Sequence, residues 1–348
     1  MIEKYLDDLE RRIDPETEED LLAQWHAFWG GAATETPFSA RRRRQVPPAF
    51  EWPHVPVNDA LEDREAMALQ QLRACSGALA NGNGNIMNIR ANYGTGILSS
   101  LFGAELFVMD RKYDTLPTTR PLSEPASAAE RLIAAGVPDL TIGLGGRTLA
   151  MGRYYRDLLA GRPRLARYVW IYHPDLQGPM DICELLWGSG LFLAVLDRPD
   201  LVKSFLDLIT ETYVRFLEAW YEIVPSGNGY ATHWDMLHKG TIMLRDDSAM
   251  NFSPAMFEEF IEPYDRRLLQ HFGGGAIHFC GKGDHYIARV GDMDDCHAVA
   301  MSQPEYNDME VIFRHTVDRG KKLLNLQRRT VEEALARGRD LHGNVHCC

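Results

Sequence analysis

The chain has 348 residues, of which 45% are hydrophobic and 25% are charged, and its formal net charge is -12. This length suits two average domains or one large α/β barrel. The acidic balance disfavours proteins that bind nucleic acid or anionic membranes, because such proteins need a basic surface.

The cellular compartment is predicted from three features of the chain. Its sequence contains no run of about 18 apolar residues, the length that a membrane-spanning helix needs. The N-terminal sequence MIEKYLDDLERRIDPETEED is acidic and amphipathic, unlike a signal peptide. The 6 cysteines lack the regular spacing of a secreted disulfide framework. We therefore expect a cytoplasmic protein with reduced thiols.

Residues 1–84 are predicted to form helices and a proline-rich arm that pack on the following domain. Apolar spacing predicts a leading helix and a second helix over Glu18 to Phe28. The segment from Arg41 to Ala60 combines an arginine run with prolines, which is typical of an extended arm. The arginines form either a solvated face or an anion clamp. A helix from Ala60 to Cys75 should follow, with Asp59 as its N-cap. Such an arm would also suit a homodimer.

Residues 85–348 alternate short apolar strands with longer helices. This alternation predicts an α/β fold, specifically a (β/α)8 TIM barrel with an N-terminal helical extension. An open doubly wound sheet would alternate in the same way, but no G-x-G-x-x-G turn follows the first strand. The candidate strands are NIMNIRANYG, YVWIYHPDLQGP, YATHWDM, GTIMLRDD, GGAIHFCG, HAVAMSQ, KKLLNLQ and LHGNVHC.

Polar residues collect at the ends of these candidate strands, where the catalytic groups of such barrels lie. The candidate catalytic residues are His233, Asp235 and Asp247. The candidate substrate-binding residues are Arg90, Asn92, Tyr93, His173, Gln177, Arg245 and Gln303. Asp246 and Asp247 have a structural alternative, because they can cap the helix that begins at Ser253 or pair with Arg245.

A metal site is predicted at His278 and Cys280. These residues are two apart on a strand, so both side chains lie on one face. Zinc accepts imidazole and thiolate ligands together. Cys347, on the last strand, would reach the same end of a closed barrel and supply a third ligand. The fourth position would take substrate, Asp235 or Glu184. Alternatively, His278 and Cys280 are ordinary core residues, and Cys347 with Cys348 forms a frayed tail.

Four strings carry a resemblance to a known family: HPDLQGPMDICELLWGS, LRDDSAMNFSPAMFEEFIEPYD, FGGGAIHFCG and MSQPEYNDME. They resemble the uroporphyrinogen decarboxylase superfamily, in particular an uncharacterised branch near the zinc-dependent cobalamin and coenzyme M methyltransferases. The resemblance runs from Asn85 to the C-terminus. It implies a TIM barrel with zinc held by His278, Cys280 and Cys347, with Cys348 as the alternative to Cys347. Such a zinc would lower the pKa of a bound thiol.

The resemblance leaves three functions open. The first is a zinc-assisted methyltransferase that moves a methyl group between a corrinoid or methylated small molecule and a thiol or folate acceptor, with the corrinoid carried by a partner protein. The second is a metal-independent decarboxylase, which would need a basic funnel for a polycarboxylate although Arg90 and Arg245 are the only strand-end arginines. The third is a non-catalytic module that binds a metal or a corrinoid protein.

Overall fold

The computed structural model describes residues 2–32 and 36–347, which form a mixed α/β fold. Its strands are short: β1 Asn88–Ile89, β2 Leu106–Phe107, β3 Thr118–Thr119, β4 Trp170–Ile171, β5 Tyr230–His233, β6 Met236–Lys239, β7 Ile242–Arg245, β8 Gly275–Phe279, β9 Cys296–Met301 and β10 Lys322–Leu324. Its helices are α1 Glu3–Arg12, α2 Pro15–Trp29, α3 Val57–Glu62, α4 Arg64–Asn81, α5 Ile97–Leu101, α6 Pro125–Ala135, α7 Gly143–Ala160, α8 Pro163–Tyr168, α9 Pro179–Trp187, α10 Leu191–Asp197, α11 Pro199–Ile223, α12 Pro254–Phe260, α13 Glu262–His271, α14 Ile287–Gly291, α15 Met309–His315 and α16 Arg328–Ala336.

The central sheet is parallel and has the strand order β10-β9-β8-β7. Strand β1 pairs with β4 in a second parallel sheet, while β2 with β3 and β5 with β6 form antiparallel pairs. A bridge from Leu323 to Val345 and another from Phe38 to His346 extend the central sheet beyond β10. The described strands therefore pair in separate sheets, without one continuous eight-stranded ladder. The complete barrel remains a prediction.

Helix α11 shows how the core is built. Its buried residues include Val202, Phe205, Leu206 and Ile209, which recur at the three- and four-residue spacing of one helix face. That face packs against α6, α7, α9 and α13. Each fully buried large apolar side chain contributes roughly 1.5–3 kcal/mol, so this face fixes the helical layer around the sheet.

A β-hairpin built from β5 and β6 lies next to the central sheet. Its strands are joined by Trp234 and Asp235, both left-handed with φ of 44° and 67°. Non-glycine residues seldom adopt this conformation, so the surrounding packing must hold the turn. On either side, His233 and His238 are fully buried and their ring nitrogens lie 2.9 Å apart. The sequence prediction of a single strand over YATHWDM was wrong, because a turn divides that segment.

The helix predicted over Ala60 to Cys75 is also divided. Asp63 is extended between α3 and α4, and its carboxylate accepts a hydrogen bond from the Ala66 amide at 2.8 Å. Asp63 is thus the N-cap of α4. The predicted cap, Asp59, instead lies within α3 and forms an ion pair with Arg111.

The arginine run is not uniformly solvated. Arg42 is buried, and its guanidinium donates two hydrogen bonds to the carboxylate of Glu18, at 2.7 and 2.9 Å. The next residue, Arg43, pairs with Asp20 while 63% of its side chain stays exposed. The prediction of a solvated face therefore fails at Arg42, because this residue joins the arm to α2.

No single helix in the described part of the chain is long and apolar enough to cross a membrane. Helices α9 and α10 pass that test only when taken together, across a bend of 105°.

The two neighbouring arginines give a matched test of the arm. We expect Arg42→Met to lower the free energy of unfolding by about 3–5 kcal/mol, because it leaves the Glu18 carboxylate buried without its partner. Arg43→Met should cost at most about 1 kcal/mol, since its ion pair is exposed. Urea denaturation of the three proteins measures both values. Equal, small losses would show that the Arg42 pair does not anchor the arm.

Candidate metal centre and substrate cavity

The candidate site is assembled where β7 and β8 end. Their parallel register places Arg245 opposite His278. Asp247 begins a short 3₁₀ helix two residues after β7 ends. Cys280 directly follows β8, and its backbone N–H donates to the Asp247 carboxylate at 2.8 Å. The strand pairing and this hydrogen bond therefore bring together three residues that are up to 33 positions apart in the sequence.

Asp247, His278 and Cys280 place their ligand atoms within 4.8 Å of one another. The His278 Nε2 atom lies 3.4 Å from the Cys280 Sγ atom and 3.8 Å from the Asp247 Oδ1 atom. Tetrahedral zinc with bonds of about 2.0–2.3 Å separates its ligand atoms by roughly 3.5 Å. The nitrogen, sulfur and oxygen donors thus fit zinc both in chemistry and in spacing.

Burial sets the protonation of two members of this triad. It lowers the pKa of His278 to about 4, so the imidazole is neutral near pH 7 and offers a lone pair. Burial also raises the pKa of the Cys280 thiol to about 11, an effect that Ser302 opposes by hydrogen bonding and Asp247 reinforces by its charge. A metal ligand must be thiolate rather than thiol, so a bound cation would have to displace this proton.

Asp181 holds Asp247 in place. Its carboxylate accepts hydrogen bonds from the backbone N–H groups of Asp247 and Ser248, at 3.0 and 2.8 Å. Burial, with the nearby charges of Asp246 and Asp247, raises the pKa of Asp181 well above its usual value. The residue is therefore committed to the backbone of the 3₁₀ helix.

Two glycines allow the close approach of the site loops. Gly281, with φ of +73°, turns the chain directly after Cys280, and its N–H donates to the Gln303 side chain at 2.6 Å. A Cβ atom at Gly178 would lie 2.5 Å from the carbonyl oxygen of Arg245 and 2.7 Å from the Asp246 carboxylate. Gly178 is needed because the loop after β4 packs against the end of β7.

Trp234, at the tip of the hairpin, forms a wall beside the triad. Its ring centroid lies 4.6 Å from that of His278 and 4.7 Å from the Arg245 guanidinium carbon. Asp235, the other turn residue, lines a cavity of about 600 Å³ together with Cys347. Asp235 accepts a hydrogen bond from Asn85, and burial raises its pKa.

Cys347 is buried and is not part of the described three-ligand group. Its backbone N–H donates to the Phe38 carbonyl at 2.9 Å, so Cys347 is held against the N-terminal arm. Its role as a zinc ligand remains a prediction. Cys348, the alternative ligand, lies outside the described residues.

The two strand-end arginines are held by one carboxylate. Arg90 pairs with Asp175 at 2.5 Å, and Arg245, which is fully buried, pairs with the other oxygen of the same carboxylate. Both guanidinium groups are therefore engaged within the protein.

The other predicted substrate-binding residues are dispersed. His173 is buried, and its Nε2 atom accepts from the backbone N–H of Met243 at 3.1 Å. Its ring centroid lies 4.2 Å from that of His233. Asn92 is buried, and Tyr93 lines a separate cavity of about 610 Å³. Gln177, in contrast, borders the same cavity as Asp247.

This cavity, which we call the triad cavity, has a volume of about 420 Å³. Gln177, Asp181, Glu184, Asp247 and Ser248 all line it. A larger cavity of about 830 Å³ lies within residues 304–339, but none of the predicted catalytic, substrate-binding or metal-ligating residues lines it. Asp247 of the triad lines the smaller cavity, which makes that cavity the candidate substrate site.

Sequence reasoning missed Asp181 and Trp234. Asp181 lies in the first turn of α9, where an acidic residue normally stabilises its own helix. Here its carboxylate holds a different segment. Trp234 gave no signal, because the turn at Trp234 and Asp235 lacks the glycine or asparagine that marks most such hairpins.

No protein-family model matches the sequence, and no curated protein matches it. Among solved structures, a methyltransferase from Methanosarcina mazei is similar to this chain, with a TM-score of 0.64. The likeness covers 94% of this chain and 92% of that chain at 16% sequence identity. The chain thus shares the fold of that protein, while the resemblance to the uroporphyrinogen decarboxylase superfamily remains a prediction.

The close approach at Gly178 can be tested against a matched glycine. We expect Gly178→Ala to lower the free energy of unfolding by about 1–3 kcal/mol, because the new methyl group must displace the end of β7. Gly161→Ala should change it by at most about 0.5 kcal/mol, since a Cβ atom there meets nothing within 4 Å. Chemical denaturation gives both values. A tolerated Gly178→Ala would mean that the two loops are not tightly packed.

Proposed function

We propose that the protein is a metal-assisted methyltransferase that transfers a methyl group to a small thiol. The observation that carries this proposal is the Asp247, His278 and Cys280 triad at the ends of two parallel strands, of which Asp247 lines the triad cavity. These three residues would hold zinc. Bound zinc lowers the pKa of a coordinated thiol and so supplies a thiolate near neutral pH.

The fold supports the class of reaction. The chain resembles a solved methyltransferase over 94% of its length. The closed (β/α)8 barrel and membership of the uroporphyrinogen decarboxylase superfamily also belong to the proposal, and they rest on the sequence motifs. The methyl donor is proposed to be a corrinoid on a partner protein or a methylated small molecule.

The proposed reaction is a substitution at the methyl carbon. The substrate thiol releases its proton to solvent through the open cavity. The sulfur lone pair then forms an S–C bond with the methyl carbon while the bond from that carbon to the donor breaks, and its electron pair leaves with the donor. Within the protein, Asp181 keeps Asp247 in position through two backbone hydrogen bonds, and the Trp234 ring shields one side of His278.

The decarboxylase alternative is less well supported. A polycarboxylate substrate needs cationic side chains around its binding site. Arg90 and Arg245 are both paired with Asp175, and Asp181, Glu184 and Asp247 line the triad cavity. The non-catalytic alternative would keep the metal but leave no exchangeable position for a thiol.

Metal analysis tests the proposal. Purified under reducing conditions, the protein should carry about one zinc per chain, the content expected for one three-ligand site. His278→Ala and Cys280→Ala should each abolish stoichiometric zinc, because two remaining ligands bind weakly. Cys347→Ala should retain it if the triad alone holds the metal. His342→Ala, at an exposed histidine, is the control.

The outcomes separate the three functions. A wild-type protein without zinc would contradict the methyltransferase proposal and favour the decarboxylase. Zinc that is present but never exchanges a ligand for an added thiol would favour the non-catalytic module. Loss of zinc in Cys347→Ala would restore Cys347 to the ligand set.

A further inference from the structure

We infer that the thiol substrate carries a protonated amino group, which Glu184 and Gln177 bind in the triad cavity. This inference rests on the proposed function, because it assumes that the thiol reaches the metal ligands from this cavity. It specifies which of the many small thiols the cavity selects.

The charge of the triad cavity is the first support. Every ionisable side chain that lines it within the described residues is a carboxylate, namely Asp181, Glu184 and Asp247. No described lysine, arginine or histidine lines the cavity. The nearest candidates from the sequence, Arg90 and Arg245, are occupied by Asp175.

Two of the three carboxylates already have other roles. Asp181 accepts two backbone hydrogen bonds. Asp247 belongs to the triad, and one zinc ion with the Asp247 carboxylate and the Cys280 thiolate would be neutral overall. The charge that remains for the substrate is therefore that of Glu184.

Glu184 has no compensating cation. One of its carboxylate oxygens accepts a hydrogen bond from the Ser248 hydroxyl at 2.5 Å. Among the described residues it forms no salt bridge, although it is partly buried. A carboxylate removed from water gains most from a partner of opposite charge, and it repels an anionic substrate.

The side-chain amide of Gln177 is a second, independent feature that favours ligand binding in the triad cavity. The residue is 8% exposed and lines the triad cavity, and its side-chain amide makes no hydrogen bond to any described residue. An amide that lines the cavity without a protein partner is available to pair with a ligand there. An ammonium group, with three N–H donors, can donate to both the Gln177 carbonyl and the Glu184 carboxylate.

The test compares three thiols of similar size but different charge. The zinc-loaded protein is titrated at pH 7 with 2-aminoethanethiol, 2-mercaptoethanol and 2-mercaptoacetate, and their affinities are measured by calorimetry. The aminothiol should bind about tenfold more tightly than the neutral thiol, a difference of about 1.4 kcal/mol. The anionic thiol should bind most weakly.

Variants assign this preference to the two side chains. Glu184→Gln should remove the preference for the aminothiol while leaving the affinity for 2-mercaptoethanol and the zinc content within about twofold, which also shows that the variant folds. Gln177→Leu should reduce the preference in part. Glu332→Gln, at an exposed carboxylate outside the triad cavity, should leave it intact.

The results of these titrations distinguish a failure of the inference from a failure of the proposed function. Equal affinities, tightest binding of the anionic thiol, or a preference that survives in Glu184→Gln would overturn the inference while leaving metal-assisted thiol binding intact. If the zinc-loaded protein binds none of the three thiols, the proposed function fails and the inference fails with it.

Discussion

The structure of the site depends on the parallel pairing of β7 with β8. This register sets Arg245 opposite His278, so the segments that follow the two strands leave the sheet side by side. Asp247 and Cys280 come from those segments, and a backbone hydrogen bond of 2.8 Å joins them. A slip of one residue would turn His278 to the opposite face of the sheet and separate it from Asp247.

Around that pairing, some charged side chains have a full set of ion-pair or hydrogen-bond partners and others do not. Arg90 and Arg245 share Asp175, and Asp181 is fixed by two backbone amides. Glu184, by contrast, faces a cavity with a hydroxyl as its hydrogen-bond partner. Buried polar groups are normally satisfied, so incomplete pairing next to metal-ligand geometry is typical of a binding site.

The proximity of His278 and Cys280 could be predicted from the sequence, because side chains two apart in an extended segment share a face. The predicted positions of β8, β9 and β10 follow from their apolar runs and are confirmed. The hairpin turn at Trp234 and Asp235 could not be found in this way, since packing rather than local preference holds its left-handed backbone. The placement of Asp247 beside Cys280 is also a long-range result, since 33 residues separate them.

Long-range packing also explains why some predicted polar residues line the triad cavity and others do not. The sequence can place a side chain near the carboxyl edge of the sheet. It does not show whether that side chain already forms an ion pair or hydrogen bond with a neighbouring residue. Arg245 and Gln177 were predicted for the same role, yet Arg245 is buried in an ion pair while the Gln177 amide borders the triad cavity. Only the three-dimensional partners distinguish these two outcomes.

X-ray absorption spectroscopy at the zinc edge tests the central claim most directly, because it counts the sulfur ligands of the metal. The zinc-loaded protein should show one sulfur at about 2.3 Å, from Cys280, with nitrogen and oxygen ligands at about 2.0–2.2 Å. Addition of a thiol substrate should add a second sulfur at about the same distance. Two sulfur ligands before any thiol is added, or no new sulfur afterwards, would contradict the account.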